Sequence, residues 1–140
     1  MAVKTFKIID HTADVGIIAY GNNIKEVFSH AALALFSLIT KTTDIEVQIQ
    51  HDVAITSTNV ESLLVEWLNE LIYLFDVEHL LLCRFEIKAI SDTQLTATCY
   101  GETIDILKHR IKTGVKAATY HMLQIERDSH GYKAQVIFDI

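Results

Sequence analysis

The chain has 140 residues, half of them apolar and 21% charged, with no proline. That length suffices for one domain that buries a full hydrophobic core without disulfide or metal staples, and the absence of proline excludes polyproline linkers and cis-proline turns. A formal net charge of -6 argues against bulk electrostatic binding of nucleic acid or of an anionic membrane, which needs a basic surface.

From the amino terminus, Val3 to Ile9 and Ile17 to Tyr20 read as strands. Ile24, Val27, Phe28, Ala31, Ala32, Leu35, Phe36 and Ile39 then recur at helical spacing and predict one apolar stripe. Asn23 is placed to cap this helix, with Glu26 three residues later. Asp44 to Ile55 alternates as a strand. Val60, Leu63, Leu64, Trp67, Leu68, Leu71, Ile72 and Phe75 form a second helical stripe, with Thr58 and Glu61 matching a capping box. Leu81 to Ile90, Gln94 to Ile104, Lys112 to Glu126 and Tyr132 to Phe138 complete the strands, with turns expected at Ser91-Asp92-Thr93 and Ser129-His130-Gly131.

This order has no regular β-α-β alternation, so the expected fold is α+β: a layered sandwich of two amphipathic helices on largely antiparallel or mixed sheet. One domain over 1–140 is expected, with the central strand-helix-strand portion as a possible separate lobe. The longest apolar run, Ala31 to Phe36, is far short of the roughly 18 to 20 residues of a membrane span. The amino terminus lacks the apolar core of a secretory signal, so a cytoplasmic location without membrane attachment is expected. A two-residue turn at Asp92-Thr93 would set Cys99 opposite Glu86 and Cys83 opposite Glu102, leaving both thiols reduced.

Three polar segments are candidates for function. Asp10-His11-Thr12-Ala13-Asp14-Val15-Gly16 gathers two carboxylates, an imidazole and a hydroxyl in five positions. Such a loop either supplies oxygen ligands to a hard cation or makes Asx turns. Asp139 lies beside the Ile140 α-carboxylate, so two anionic groups end the last strand. Lys108 to Lys116 holds four of the twelve basic residues and no acid, which fits a solvated loop or a phosphate-facing one. No phosphate loop, zincin helix or nucleophile elbow occurs.

The blocks DHTADVGIIAYG (10–21), EVFSHAALALFSLI (26–39), LLVEWLNELIYLFD (63–76), GETID (101–105), VKAATYH (115–121) and the terminal VIFDI together resemble the archease family. The resemblance spans almost the whole chain. It implies a non-enzymatic activator of the GTP-dependent, RtcB-type RNA ligase, which joins 2′,3′-cyclic-phosphate or 3′-phosphate ends to 5′-hydroxyl ends in tRNA splicing and RNA repair. RNA is then met only through the ligase. The family's metal site falls on Asp14, Asp139 and the Ile140 carboxylate, and its functional lysine on Lys116; Asp10 and His11 match the motif with less claim to be direct ligands. Three carboxylates offer up to six oxygens, which suits calcium better than tetrahedral zinc. The alternatives are a metal-dependent phosphoesterase using Asp10, His11 and Asp14, and a chaperone-like binding module.

Overall fold

A computed structural model describes residues 5–10 and 14–140. In chain order the elements are β1 (Phe6–Asp10), β2 (Asp14–Gly21), α1 (Ile24–Ile39), a 3-10 turn (Thr42–Asp44), β3 (Ile49–Thr56), α2 (Val60–Asp76), β4 (Leu80–Ile90), β5 (Gln94–Thr103), β6 (Ala117–Ala118), β7 (Gln124–Asp128) and β8 (Gly131–Asp139). The strands form two sheets. One runs β1-β2-β8-β6 with β7 also on β8, the other runs β3-β5-β4, and every pairing is antiparallel. The expected α+β class is what the chain adopts.

Helix α1 begins as the sequence predicts. Asn23 Oδ1 accepts from the Glu26 amide at 3.0 Å, while Glu26 Oε1 reaches back to the amide of Asn22 at 3.2 Å. The single apolar stripe understates its burial. Ala34 and Leu38 are buried as well, because α1 packs against both β2 and β4 and so has sheet on two sides. The cap of α2 differs from expectation: Asn59, not Thr58, accepts from the Ser62 amide at 2.8 Å. The Thr58 box is therefore one residue early.

Trp67 on α2 joins the layers. Its indole N–H donates to the Phe28 carbonyl of α1 at 3.0 Å, and its ring meets Phe85 of β4 edge-on with centroids 6.3 Å apart. Phe36 stacks on the same Phe85 at 5.8 Å. Residues of both sheets and both helices thus belong to one core.

The β4-β5 hairpin turns at Asp92-Thr93, with the Ser91 amide donating to the Gln94 carbonyl at 2.9 Å. Two register shifts then move the pairing, one between Leu82 and Arg84 and one between Ile87 and Ala89. Cys99 consequently faces Phe85, not Glu86, and Leu81 faces Glu102 where Cys83 was expected. Both cysteines are free. Burial pushes the Cys99 thiol up to about 12 and raises that of Cys83, so neither has the depressed pKa of a reactive thiol. Gly101 lies beside the first shift, where a Cβ would fall inside the contact distance of the Leu81 carbonyl. Glycine is required there by close backbone approach.

The strand expected over Lys112 to Glu126 is broken into β6 and β7, both on one edge of β8. Between them the chain turns out at Met122, whose φ of 54° is left-handed, and the Gln135 side-chain amide donates to the Met122 carbonyl at 2.9 Å. The strand expected from Asp44 starts only at Ile49, because Asp44 closes the 3-10 turn.

Candidate functional site

The three parts of the site come from residues remote in sequence and meet at one end of the larger sheet. Asp14 opens β2, Asp139 closes β8, and these two residues are direct cross-strand partners. Partners in antiparallel strands project from the same face with Cβ atoms about 5 Å apart, so two carboxylates stand side by side. Their neighbours Val15 and Phe138 also pair and are buried, which identifies the opposite face as the core side. On the other edge of β8, Ala117 pairs with Asp139, and the Lys116 amide donates to the Asp139 carbonyl at 2.8 Å.

Lys116 is exposed, and no salt bridge involves it among the described residues. Asn69 of α2 holds the adjacent strand in place. Its side-chain amide donates to the Ala118 carbonyl at 3.3 Å and its oxygen accepts from the Ala118 amide at 2.8 Å. This amide mimics a neighbouring strand and closes the free edge of β6.

Asp10 is not brought to the aspartate pair. It is paired with Val15, so the register assigns it to the face opposite Asp14. His11 lies outside the described residues. Ile140 follows Asp139 directly and is partly exposed. Among the described residues, no group of three or more His, Cys, Asp or Glu side chains converges. The donor set offered by the pair is all oxygen, which fits a hard divalent cation such as calcium completed by main-chain oxygens or water.

The basic segment divides into two parts with different roles. Lys108 and His109 serve an internal polar knot. Glu102 at the end of β5 accepts from the Lys108 ammonium at 2.9 and 3.1 Å, from the Glu46 amide at 2.6 Å and from His109 Nε2 at 3.1 Å. The Asp105 amide donates to His109 Nδ1 at 3.0 Å, which leaves Nε2 carrying the proton it gives to Glu102. Burial alone would raise the Glu102 carboxyl, but the Glu46 amide, Lys108 and His109 outweigh it and hold it down to about 2. Arg110 and Lys112 are exposed, and among the described residues only their backbones are engaged: the Arg110 carbonyl accepts from Thr40 Oγ1 at 2.6 Å, and the Lys112 amide donates to the Ile39 carbonyl at 2.7 Å.

The depressed Glu102 pKa fixes a sign for acid unfolding. A carboxyl lower in the folded than the unfolded state contributes stability that is present above about 4.5 and is lost as pH falls toward 2. Glu102→Gln is expected to lower stability at pH 7 by about 1–3 kcal/mol, since buried His109 and the partly exposed Lys108 lose their anion. It should also flatten the fall in stability between pH 4.5 and 2. Urea melts across that range check it, and a variant with the wild-type acid profile would contradict the assignment.

Comparison with known proteins bears on the whole of this arrangement. The model of the archease protein family (MTH1598/TM1083) matches residues 6–140. Protein archease of Methanosarcina acetivorans is 40% identical over 141 residues, covering 98% of this chain and 97% of that protein. The Pyrococcus furiosus protein archease is 41% identical over 142 residues, covering 99% of this chain and all of that one. Among solved structures, the solution structure of protein 1598 of Methanobacterium thermoautotrophicum aligns with a TM-score of 0.86 at 40% identity, covering 99% of this chain and 100% of that chain. A 2.0 Å crystal structure from Thermotoga maritima, described as an archease and possible chaperone, aligns with a TM-score of 0.64 at 26% identity over 94% of each chain. The chain belongs to the archease family.

Proposed function

We propose that this protein activates a GTP-dependent RNA ligase of the RtcB type, the enzyme that seals 2′,3′-cyclic-phosphate or 3′-phosphate ends to 5′-hydroxyl ends in tRNA splicing and RNA repair. It acts in the cytoplasm by contact with the ligase, promoting guanylylation of the ligase histidine and its repeated turnover, and it meets RNA only through that partner. The observation that supports this reading is the convergence of Asp14, Asp139 and Lys116, separated by up to 125 positions, at one sheet end. In this reading Asp14, Asp139 and the Ile140 α-carboxylate hold a divalent metal, calcium by the chemistry of the donors. The metal supplies a fixed positive charge at the docking surface. Lys116, whose backbone is bonded to that of Asp139, adds a point charge on a long flexible stem able to meet phosphate oxygens.

The test is covalent guanylylation of the cognate ligase from labelled GTP and divalent metal, timed with and without this protein. Faster labelling at substoichiometric protein is expected from the wild type, and a much weaker acceleration from Lys116→Ala. Equal labelling rates with and without the wild-type protein would overturn the reading. A second reading follows from the Thermotoga relative's description as a possible chaperone: protection of unrelated clients from aggregation, without effect on the ligase, would favour it. Hydrolysis of phosphate esters by this protein alone would favour the phosphoesterase reading.

A further inference from the structure

The exposed turn after β5 has a surface unlike the rest of the molecule. Ile106 and Leu107 are consecutive, large and apolar, and are 85% and 94% exposed. Single exposed apolar residues are ordinary, whereas two adjacent ones at a tip remove readily buried area from the core. The tip is also firmly held. Asp105 Oδ1 accepts from the Leu107 amide at 3.0 Å, and the Asp105 carbonyl accepts from the amides of Lys108 at 3.0 Å and His109 at 2.7 Å. Behind it the Glu102 knot fixes Lys108 and His109.

Further cations follow one residue after the turn closes. Arg110, Ile111 and Lys112 line a groove with Lys41, and Asp44 is the one acid in that lining. None of the three cations forms a salt bridge among the described residues. The cations have a partial structural use near the C-terminal end of α1, whose dipole they complement, but the apolar tip has none. Helix α1 runs back along β2, so its C-terminal end lies toward Asp14. The segment held there by the Lys112 amide continues to Lys116 beside Asp139.

We propose that Ile106 and Leu107 form a docking knob for an apolar socket on the ligase whose rim carries carboxylates that meet Lys41, Arg110 and Lys112. The inference rests on the ligase-activator reading and deepens it by separating recognition from activation. A free phosphate or RNA chain suits the cations but not two aliphatic side chains at the tip, where nucleic-acid surfaces use aromatic ones. A second copy of this chain offers acids, since Glu66 and Glu70 line a groove with Ile55 and Tyr73. Knob and groove can pair reciprocally about a two-fold axis, but two copies that each carry a formal net charge of -6 repel overall.

The experiment measures the cognate ligase's affinity for the full-length protein, and its dose-response of stimulation, across a salt series. Ile106→Ser with Leu107→Ser is expected to weaken binding at least tenfold and to move the half-maximal dose by the same factor. Maximal stimulation at saturating protein is retained. Arg110→Glu with Lys112→Glu should weaken binding and flatten its salt dependence, which the serine pair leaves intact. Ile106→Val with Leu107→Met should restore affinity. Since both knob residues are exposed, an unchanged melting temperature accompanies the serine pair and the Ile106→Val with Leu107→Met pair, while the charge-reversed pair gives up its small contribution at the end of α1.

Unchanged ligase affinity in the serine pair overturns the knob while the activator reading stands. Loss of binding to a single-stranded RNA oligonucleotide, or a change in sedimentation of the protein alone, without change in ligase affinity, overturns it in favour of RNA or of self-association. Absence of any wild-type binding or stimulation overturns both the knob and the reading on which it rests.

Discussion

Asp14→Asn and Asp139→Asn are each expected to weaken calcium binding by on the order of 100-fold, because each removes one formal charge and an anionic oxygen from a site with few of either. The two side chains occupy directly opposed positions on β2 and β8, where one cation can be shared between them. Asp139→Asn, at an exposed position, should leave the melting temperature in chelator unchanged while calcium no longer adds stability. That contrast separates lost binding from lost folding. Calorimetric titration with calcium alone, paired with thermal melts in chelator, reads both. Wild-type calcium affinity in both variants would exclude the aspartate pair as the metal site. A one-residue extension beyond Ile140 moves the α-carboxylate and should weaken the same titration.

Trp67→Ala should cause the largest loss of stability. The side chain is fully buried, hydrogen-bonded to α1 and packed edge-on against β4, so its removal opens a cavity where both helices and the smaller sheet meet. Such truncations cost about 3–5 kcal/mol, against a total of about 5–15 kcal/mol for a domain. The melting temperature should fall by about 10–20 °C, read by circular dichroism. Trp67→Phe keeps most of the apolar contact and should recover more than half of that loss. A fall of under 3 °C for Trp67→Ala would show that the layers are joined elsewhere.

Much of this fold was legible because its physics is local. Helical stripes, the Asn23 cap and the Asp92-Thr93 turn all depend on residues within a few positions of each other, and each forms as its spacing predicts. The misplaced α2 cap has a physical reason: Thr58 and Asn59 are both competent caps, and asparagine is the stronger of the two. The β4-β5 register failed for a different reason. Its turn was right, but two irregularities near Cys83 and Lys88 move every pair beyond them, and bulges leave no periodic signature in a sequence.

The segments of the site were legible as polar clusters, but their coming together was legible only through resemblance. Spacing within Asp10 to Gly16 cannot reveal that Asp14 meets Asp139 while Asp10 takes the other face, since that depends on strand pairing across the whole chain. The Glu102 knot escaped because its members follow no periodicity. The available signal was a carboxylate at a strand end with Lys108 and His109 six and seven residues later, the distance at which a tight turn returns. Without it, all four cations of Lys108 to Lys116 looked equally free.

The central claim is that this chain acts through a ligase, and multiple-turnover RNA ligation tests it most directly. The cognate ligase is supplied with GTP, divalent metal and excess RNA bearing 3′-phosphate and 5′-hydroxyl ends, with this protein added at a fraction of the ligase concentration. Many sealed products per ligase molecule are expected with the wild-type protein, far fewer without it, and far fewer with Asp139→Asn. Equal turnover with and without the wild-type protein, in a reaction where the ligase itself seals RNA, would contradict the account.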